Sequence, residues 1–180
     1  TYHLHIIISL YFKQTFQIMK QIYFIRHAKS DWSNPQLNDH ERPLNKRGMK
    51  DAPLMAEIMQ KSGISPDAIF SSTAKRAFTT AEIFFRYFPK AHLVAVPELY
   101  HANEITLQDF ITYTDNKYNT IFIIAHNPGL NFFCSFYPEF SLPNIPTTGV
   151  IGIEADIDNW TDFNIKKSRI ILEDYPKKHK

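Results

Sequence analysis

Apolar and polar positions along this chain fall into two alternating rhythms. Short apolar runs of strand length, at 22–25, 68–70 and 120–125, are separated by longer stretches in which apolar residues recur every three or four positions. Asn45 can cap a helix whose stripe is Ala52, Leu54, Met55, Ile58 and Met59, running to about Ser62 before Gly63 ends it. Pro66-Asp67 leads into the second strand, and 73–88 predicts a second helix with Ala77, Ala81, Phe84, Phe85 and Phe88 inward, as core. A short strand at 92–96, a third helix at 104–114, the long strand at 120–125 and a fourth helix at 129–137 follow. Closing strands are predicted at 148–154 and 163–172, with a loop at 138–146 before them. This alternation, without repeat or linker, predicts a single doubly wound α/β domain.

The strand ends carry the chemistry. Ile22-Tyr23-Phe24-Ile25 stops on Arg26-His27, the run at 120–125 stops on His126-Asn127-Pro128-Gly129, and Ser71-Ser72 is followed by a helix start with Arg76 in its first turn. In open α/β sheets ligands bind outside the strand carboxyl ends. Arginine offers a planar fork of donors suited to phosphate, and histidine can be nucleophile or proton carrier near neutral pH. An isolated Arg-His pair is more often a solvated strand end. If the three strands are neighbours in one parallel sheet, however, two arginines and two histidines converge at one edge.

These segments resemble the histidine phosphatase superfamily, also called phosphoglycerate mutase-like, and within it the small phosphohistidine phosphatases of the SixA type. Arg26-His27-Ala28-Lys29-Ser30-Asp31-Trp32 resembles the family's Arg-His-Gly strand end, and Arg42-Pro43-Leu44-Asn45-Lys46-Arg47-Gly48 the opening of the next helix in the SixA-like branch. Ser72 through Ala81 resembles the element bearing the second arginine, and Ala125-His126-Asn127-Pro128 the second-histidine turn. The resemblance covers about residues 20 to 155. It implies a three-layer α/β/α sandwich with a mostly parallel central sheet.

The resemblance further implies that His27 is the nucleophile, forming a phosphohistidine that water hydrolyses. Arg26, Arg76 and His126 would neutralise the phosphoryl oxygens and stabilise the transition state, with no metal or cofactor required. Ser30, Ser72, Asn127 and Gly129 are expected to add hydrogen bonds to substrate, against the plainer reading of solvated polar residues. Two positions depart from the wider pattern: Ala28 stands where glycine is common, and Ser33 where mutase-type members carry asparagine. The mutase-type glutamate acid is also missing. After Pro97-Glu98-Leu99-Tyr100 the candidates are His101 and, one helical turn further, Glu104, each of which also reads as an ordinary loop or helix-start residue.

A missing acid bears on substrate. An alkoxide needs protonation as it leaves, worth roughly 10²–10⁴-fold from a positioned acid. An imidazole, with a pKa of about 6.5, needs much less. Phosphohistidine in a phosphoprotein is therefore the expected substrate, with inorganic phosphate as product. The alternatives are a broad small-molecule phosphomonoesterase and a non-catalytic phosphate-binding interaction module.

Composition adds bounds. A formal net charge of +2 over 180 residues gives no charge argument for a nucleic-acid or membrane partner. Lys29, Arg42, Lys46, Arg47 and Lys75 nonetheless flank the motifs, as either a steering field or a solvated face. The lone Cys134 excludes an internal disulfide and fits a reducing, cytoplasmic setting; it reads as a buried structural thiol. No Cys/His spacing suggests a metal site. Residues 1–18 are apolar at the start but too short to span a membrane, and they lack a signal-peptide pattern. Met19 reads as a natural start, which makes 1–18 an upstream extension and 19–175 the phosphatase domain; an extra strand or an interfacial anchor is the alternative for the extension.

Overall fold

The computed structural model describes residues 19–180, so the expectations for 1–18 lie outside the described residues. Six strands, β1 (Lys20–Arg26), β2 (Ala68–Ser72), β3 (His92–Val96), β4 (Thr120–Ala125), β5 (Val150–Ala155) and β6 (Ser168–Asp174), form one sheet in the order β3-β2-β4-β1-β5-β6. The β3–β2, β2–β4 and β4–β1 pairings are parallel, while β5 runs antiparallel to both β1 and β6. The sheet is thus mostly parallel.

Among the described residues four helices cover it: α1 (Lys46–Lys61), α2 (Lys75–Tyr87), α3 (Glu104–Thr112) and α4 (Gly129–Ser135). Because successive strand residues point to opposite faces, β1 sends Tyr23 and Ile25 into one core cluster and Ile22 and Phe24 into the other. The first cluster is completed by Met55 and Met59 of α1 and by Ala77, Ala81 and Phe84 of α2. The second contains Leu107 and Ile111 of α3 with Leu130 and Phe133 of α4. Helices on both faces make the three-layer α/β/α sandwich.

Local chemistry fixes the element ends. The Asn45 side chain accepts from Gly48 N at 2.9 Å and starts α1, and Gly63, at φ 77°, follows its end. Asn103 likewise accepts from Thr106 N at 2.8 Å and starts α3. Several predicted boundaries shift. α3 stops at Thr112 and α4 at Ser135, two residues early in each case. β6 begins at Ser168 rather than 163, since Phe163 is buried as a core side chain and Ile165–Lys167 forms a 3-10 turn. Cys134 is buried in α4, and burial pushes its thiol pKa up, as an inert core thiol requires. Among the described residues no helix is long and apolar enough to cross a membrane.

Candidate active site

The sheet order makes β2, β4 and β1 neighbours, so their three carboxyl ends lie side by side. Arg26 pairs with Ala125 and Ser71 with Ile124, which brings the ends level to within about a residue. His27 extends β1 by donating its backbone N–H to Ala125 O at 3.1 Å. The rings of His27 and His126 are 4.9 Å apart, and both are buried together with Arg76.

His27 has one defined tautomer. Its Nδ1 is 2.8 Å from Ala28 O, a carbonyl that can only accept, so the proton sits on Nδ1 and the lone pair on Nε2. Burial pushes the His27 pKa down to about 4; the Ala28 hydrogen bond works the other way, and Arg76 and Arg26 add to the fall. At neutral pH the ring is therefore an uncharged imidazole with Nε2 available as a nucleophile.

Arg76 faces that lone pair. Its Nε is 3.3 Å from His27 Nε2, its Nη2 donates to Asp39 Oδ2 at 2.8 Å and lies 3.4 Å from His126 Nδ1, and its Nη1 donates to Asp39 O. With His126 Nδ1 accepting from Arg76, Nε2 carries the hydrogen and donates to Ser72 Oγ at 2.8 Å. Burial, then His27, Arg76 and His101, push the His126 pKa down to about 2. His126 is thus held neutral, chiefly by burial. Arg26 donates from Nη1 to Ile145 O at 2.7 Å, while its buried Nε has no partner among the described residues.

The other candidates divide. Ser72 is in the cluster. Ser30 is buried beside Leu44, and its Oγ accepts from the Trp32 indole at 3.0 Å, outside the histidine cluster. Asn127 donates to Asn144 Oδ1 at 2.7 Å and to Ile145 O at 3.2 Å, tying the turn after β4 to the loop that also receives Arg26. Gly129 is needed for close approach: a Cβ there would lie 1.9 Å from Ala102 O. His101 stands at the mouth, stacked on His126 at 5.7 Å and 13°, with Nε2 3.5 Å from Asp39 Oδ2. Glu104 is not brought in; it lines an apolar groove with Ile105, Phe133 and Phe136. Among the described residues no set of three His, Cys, Asp or Glu is gathered at metal-ligand spacing.

Sequence reasoning missed Asp39, Tyr100, Thr80 and Thr148 here. Asp39 binds Arg76 and accepts from Tyr100 Oη at 3.0 Å. Partial burial works to raise its carboxyl pKa, but the hydrogen bonds from Arg76 and Tyr100 hold it below the ordinary value, as an anion. Thr80 Oγ1 accepts from Ala28 N at 3.1 Å and donates to Arg76 O at 2.7 Å, joining the nucleophile's strand to the arginine's helix. His101 (φ 53°) and Thr148 (φ 61°) occupy left-handed backbone that side-chain-bearing residues avoid, and both border this cluster. Thr148 N donates to Arg26 O at 3.0 Å.

Residues 22–120 match the family model of the histidine phosphatase superfamily, branch 1. The chain belongs to that superfamily. An uncharacterized chloroplastic protein of Arabidopsis thaliana is 32% identical over 155 residues, 81% of this chain and 71% of its own length. A structure from Agrobacterium tumefaciens assigned as the phosphohistidine phosphatase SixA superposes with a TM-score of 0.74 at 26% identity, covering 87% of this chain and 99% of its own. A protein histidine phosphatase SixA complexed with tungstate shares the fold, with a TM-score of 0.73 at 17% identity over 89% of this chain and 99% of its own. This histidine phosphatase is therefore an enzyme of the histidine-nucleophile type, on a phosphoglycerate mutase-like fold.

Proposed function

We propose that His27 is the phosphoryl acceptor and that the substrate is a phosphohistidine in a phosphoprotein. The observation that carries the first half is the imidazole of His27, neutral by burial and oriented by Ala28 O, with Nε2 facing Arg76. Nε2 attacks phosphorus, the bond to the leaving group breaks, and the electron pair departs with that group. Arg26 and Arg76 stabilise the charge on the phosphoryl oxygens, and His126, whose Nε2–H is held by Ser72 Oγ, packs beside them. Water then attacks the phosphohistidine, breaks its P–N bond and releases inorganic phosphate, restoring neutral His27.

The second half rests on the acid. The carboxylate nearest the cluster, Asp39, is held as an anion by Arg76 and Tyr100, a poor proton source. A leaving imidazole tolerates that, whereas an alkoxide does not. One observation favours the second reading, a small-molecule phosphomonoesterase: His101 stacks on His126 and lies 3.5 Å from Asp39, which makes it the candidate to protonate a leaving oxygen.

The deciding experiment compares a phosphohistidine peptide with aryl and alkyl phosphates and then traps the enzyme. Turnover of the peptide and the aryl ester is expected, nearly intact in His101→Ala and Glu104→Gln, with alkyl esters poor substrates. His27→Ala should lose roughly 10³-fold or more of activity, along with an acid-labile, base-stable phosphoenzyme. Phosphate trapped on Ser72 or His126 would reject the nucleophile. Efficient alkyl ester hydrolysis that collapses in His101→Ala would put the phosphomonoesterase first.

A further inference from the structure

On the other flank of β1, the same sheet edge holds a cleft of about 280 Å³. β6 is antiparallel to β5 and so runs in the direction of β1, which brings the turn after it to the edge where Arg26 ends its strand. The first turn of α1 and the loop before β5 close the remaining sides. Arg26, Lys29, Arg47, Lys177 and Lys180 line this cleft, against one acidic side chain, Asp51.

A chain with a net charge of +2 has little general excess of positive charge, so this is a local concentration. Like charges gathered this closely repel one another, and the arrangement becomes favourable when an anion enters. Asp51 offsets only part of the charge. It is buried, pairs with Lys180 Nζ at 2.6 Å and lies 4.0 Å from Arg47 Nε. Lys29 and Lys177 form no ion pair among the described residues. Arg26 is the wall shared with the catalytic cluster: its chain continues directly into His27, and its side chain borders the cleft. An anion in the cleft therefore shares the Arg26 wall with the catalytic cluster.

We propose that this cleft receives a second anionic group of the substrate, a carboxylate or a phosphate, while the phosphoryl group faces His27. The enzyme then selects bis-anionic substrates over mono-anionic ones. This rests on the assignment of the phosphoryl site to His27. The second anion has two sources: an acidic residue beside the phosphohistidine of a polypeptide, or a second phosphate on a small molecule.

Binding without turnover tests the cleft separately from the reaction. In the full-length His27→Ala chain, titration calorimetry measures affinity for two pairs: phosphohistidine peptides flanked by Glu or by Gln, and a hexose bisphosphate against its monophosphate. The bis-anionic member of at least one pair is expected to bind about fivefold tighter at low salt, as two partly screened charge pairs would give. Adding Arg47→Gln and Lys177→Gln, both at exposed positions, should bring that ratio close to one while the thermal unfolding curve is retained. An advantage in the peptide pair assigns the acidic flank, and one confined to the sugar pair assigns the second phosphate. Equal affinities within both pairs, or an advantage that survives in the folded double substitution, overturn the proposal. Turnover of the peptides by the unsubstituted chain is read separately and tests the phosphohistidine assignment.

Discussion

Arg76 has every side-chain nitrogen committed: Nε to His27, Nη1 to Asp39 O, and Nη2 to Asp39 Oδ2 and His126. A lysine can keep the charge but not this fork. Arg76→Lys is therefore expected to lower kcat/KM by about 2–4 kcal/mol of transition-state stabilisation, read in steady-state assays on an aryl phosphate. Near-normal activity would reduce Arg76 to a steering charge. The buried histidines also set a pH dependence of stability. His27 titrates near 4 in the fold and at about 6.5 when unfolded, so the unfolded chain binds the extra proton first as pH falls. Its contribution is whole above pH 6.5 and is lost on the way down to about 4, a loss on the order of 3 kcal/mol. Urea titrations across that window should show a flatter profile for His27→Gln, and an unchanged slope would contradict the buried neutral ring. Arg26, His27 and His126 were legible because they close apolar runs, and Arg76 because it opens the helix that follows the Ser71-Ser72 strand end. Asp39, Thr80 and Tyr100 were not, because their partners lie 37, 52 and 61 residues away and only the fold supplies them.

Helices and strands were read from periodicity wherever a cap or a glycine punctuated the pattern, as at Asn45 and Gly63. Periodicity failed where an apolar residue is core without belonging to an element. Phe163 looked like the first residue of a strand, yet it packs on Phe133 at 6.4 Å ahead of the 3-10 turn. The start of α2 was placed two residues early, at 73, because its N-cap, Ala74, has no capping side chain; Ser72 Oγ accepts from Ala74 N instead, at 3.2 Å. α4 has a different constraint. Gly129→Ala would drive a methyl into Ala102 O and push the helix away from the His101 segment, at a cost of about 1–3 kcal/mol or more. Because His126 immediately precedes this turn, activity should fall further than the loss of stability accounts for. A fall in the urea midpoint with no change in kcat/KM would mean that the turn is purely structural.

Across the whole molecule, one sheet separates two hydrophobic clusters, and every strand of the parallel core contributes to both. Phe122 packs with Tyr23, Phe84 and Phe88 on one face, and Phe24 with Phe133 on the other. Phe122→Ala and Phe24→Ala should each cost about 3–5 kcal/mol. Since the clusters share their strands, each variant is expected to unfold in one transition, coincident by far- and near-UV circular dichroism. Separate transitions would show that the two layers fold independently. Strand order itself was not legible in the sequence. The convergence of three strand ends was conditional on β2, β4 and β1 being neighbours, and that adjacency follows from crossovers that place β4 between two earlier strands. The basic excess near the motifs also resolves only in three dimensions: Lys29 and Arg47 line the cleft beside Arg26, whereas Arg42 stacks on Trp32 at 3.9 Å.

The group that orients His27 is a main-chain carbonyl, Ala28 O, and not a side chain. No codon change at position 28 can delete that acceptor, and only the volume beside it is open to mutation. A lineage can therefore exchange the small residue after the histidine without disturbing which ring nitrogen bears the lone pair. The feature is invisible to alanine scanning, and its loss would require moving the backbone itself.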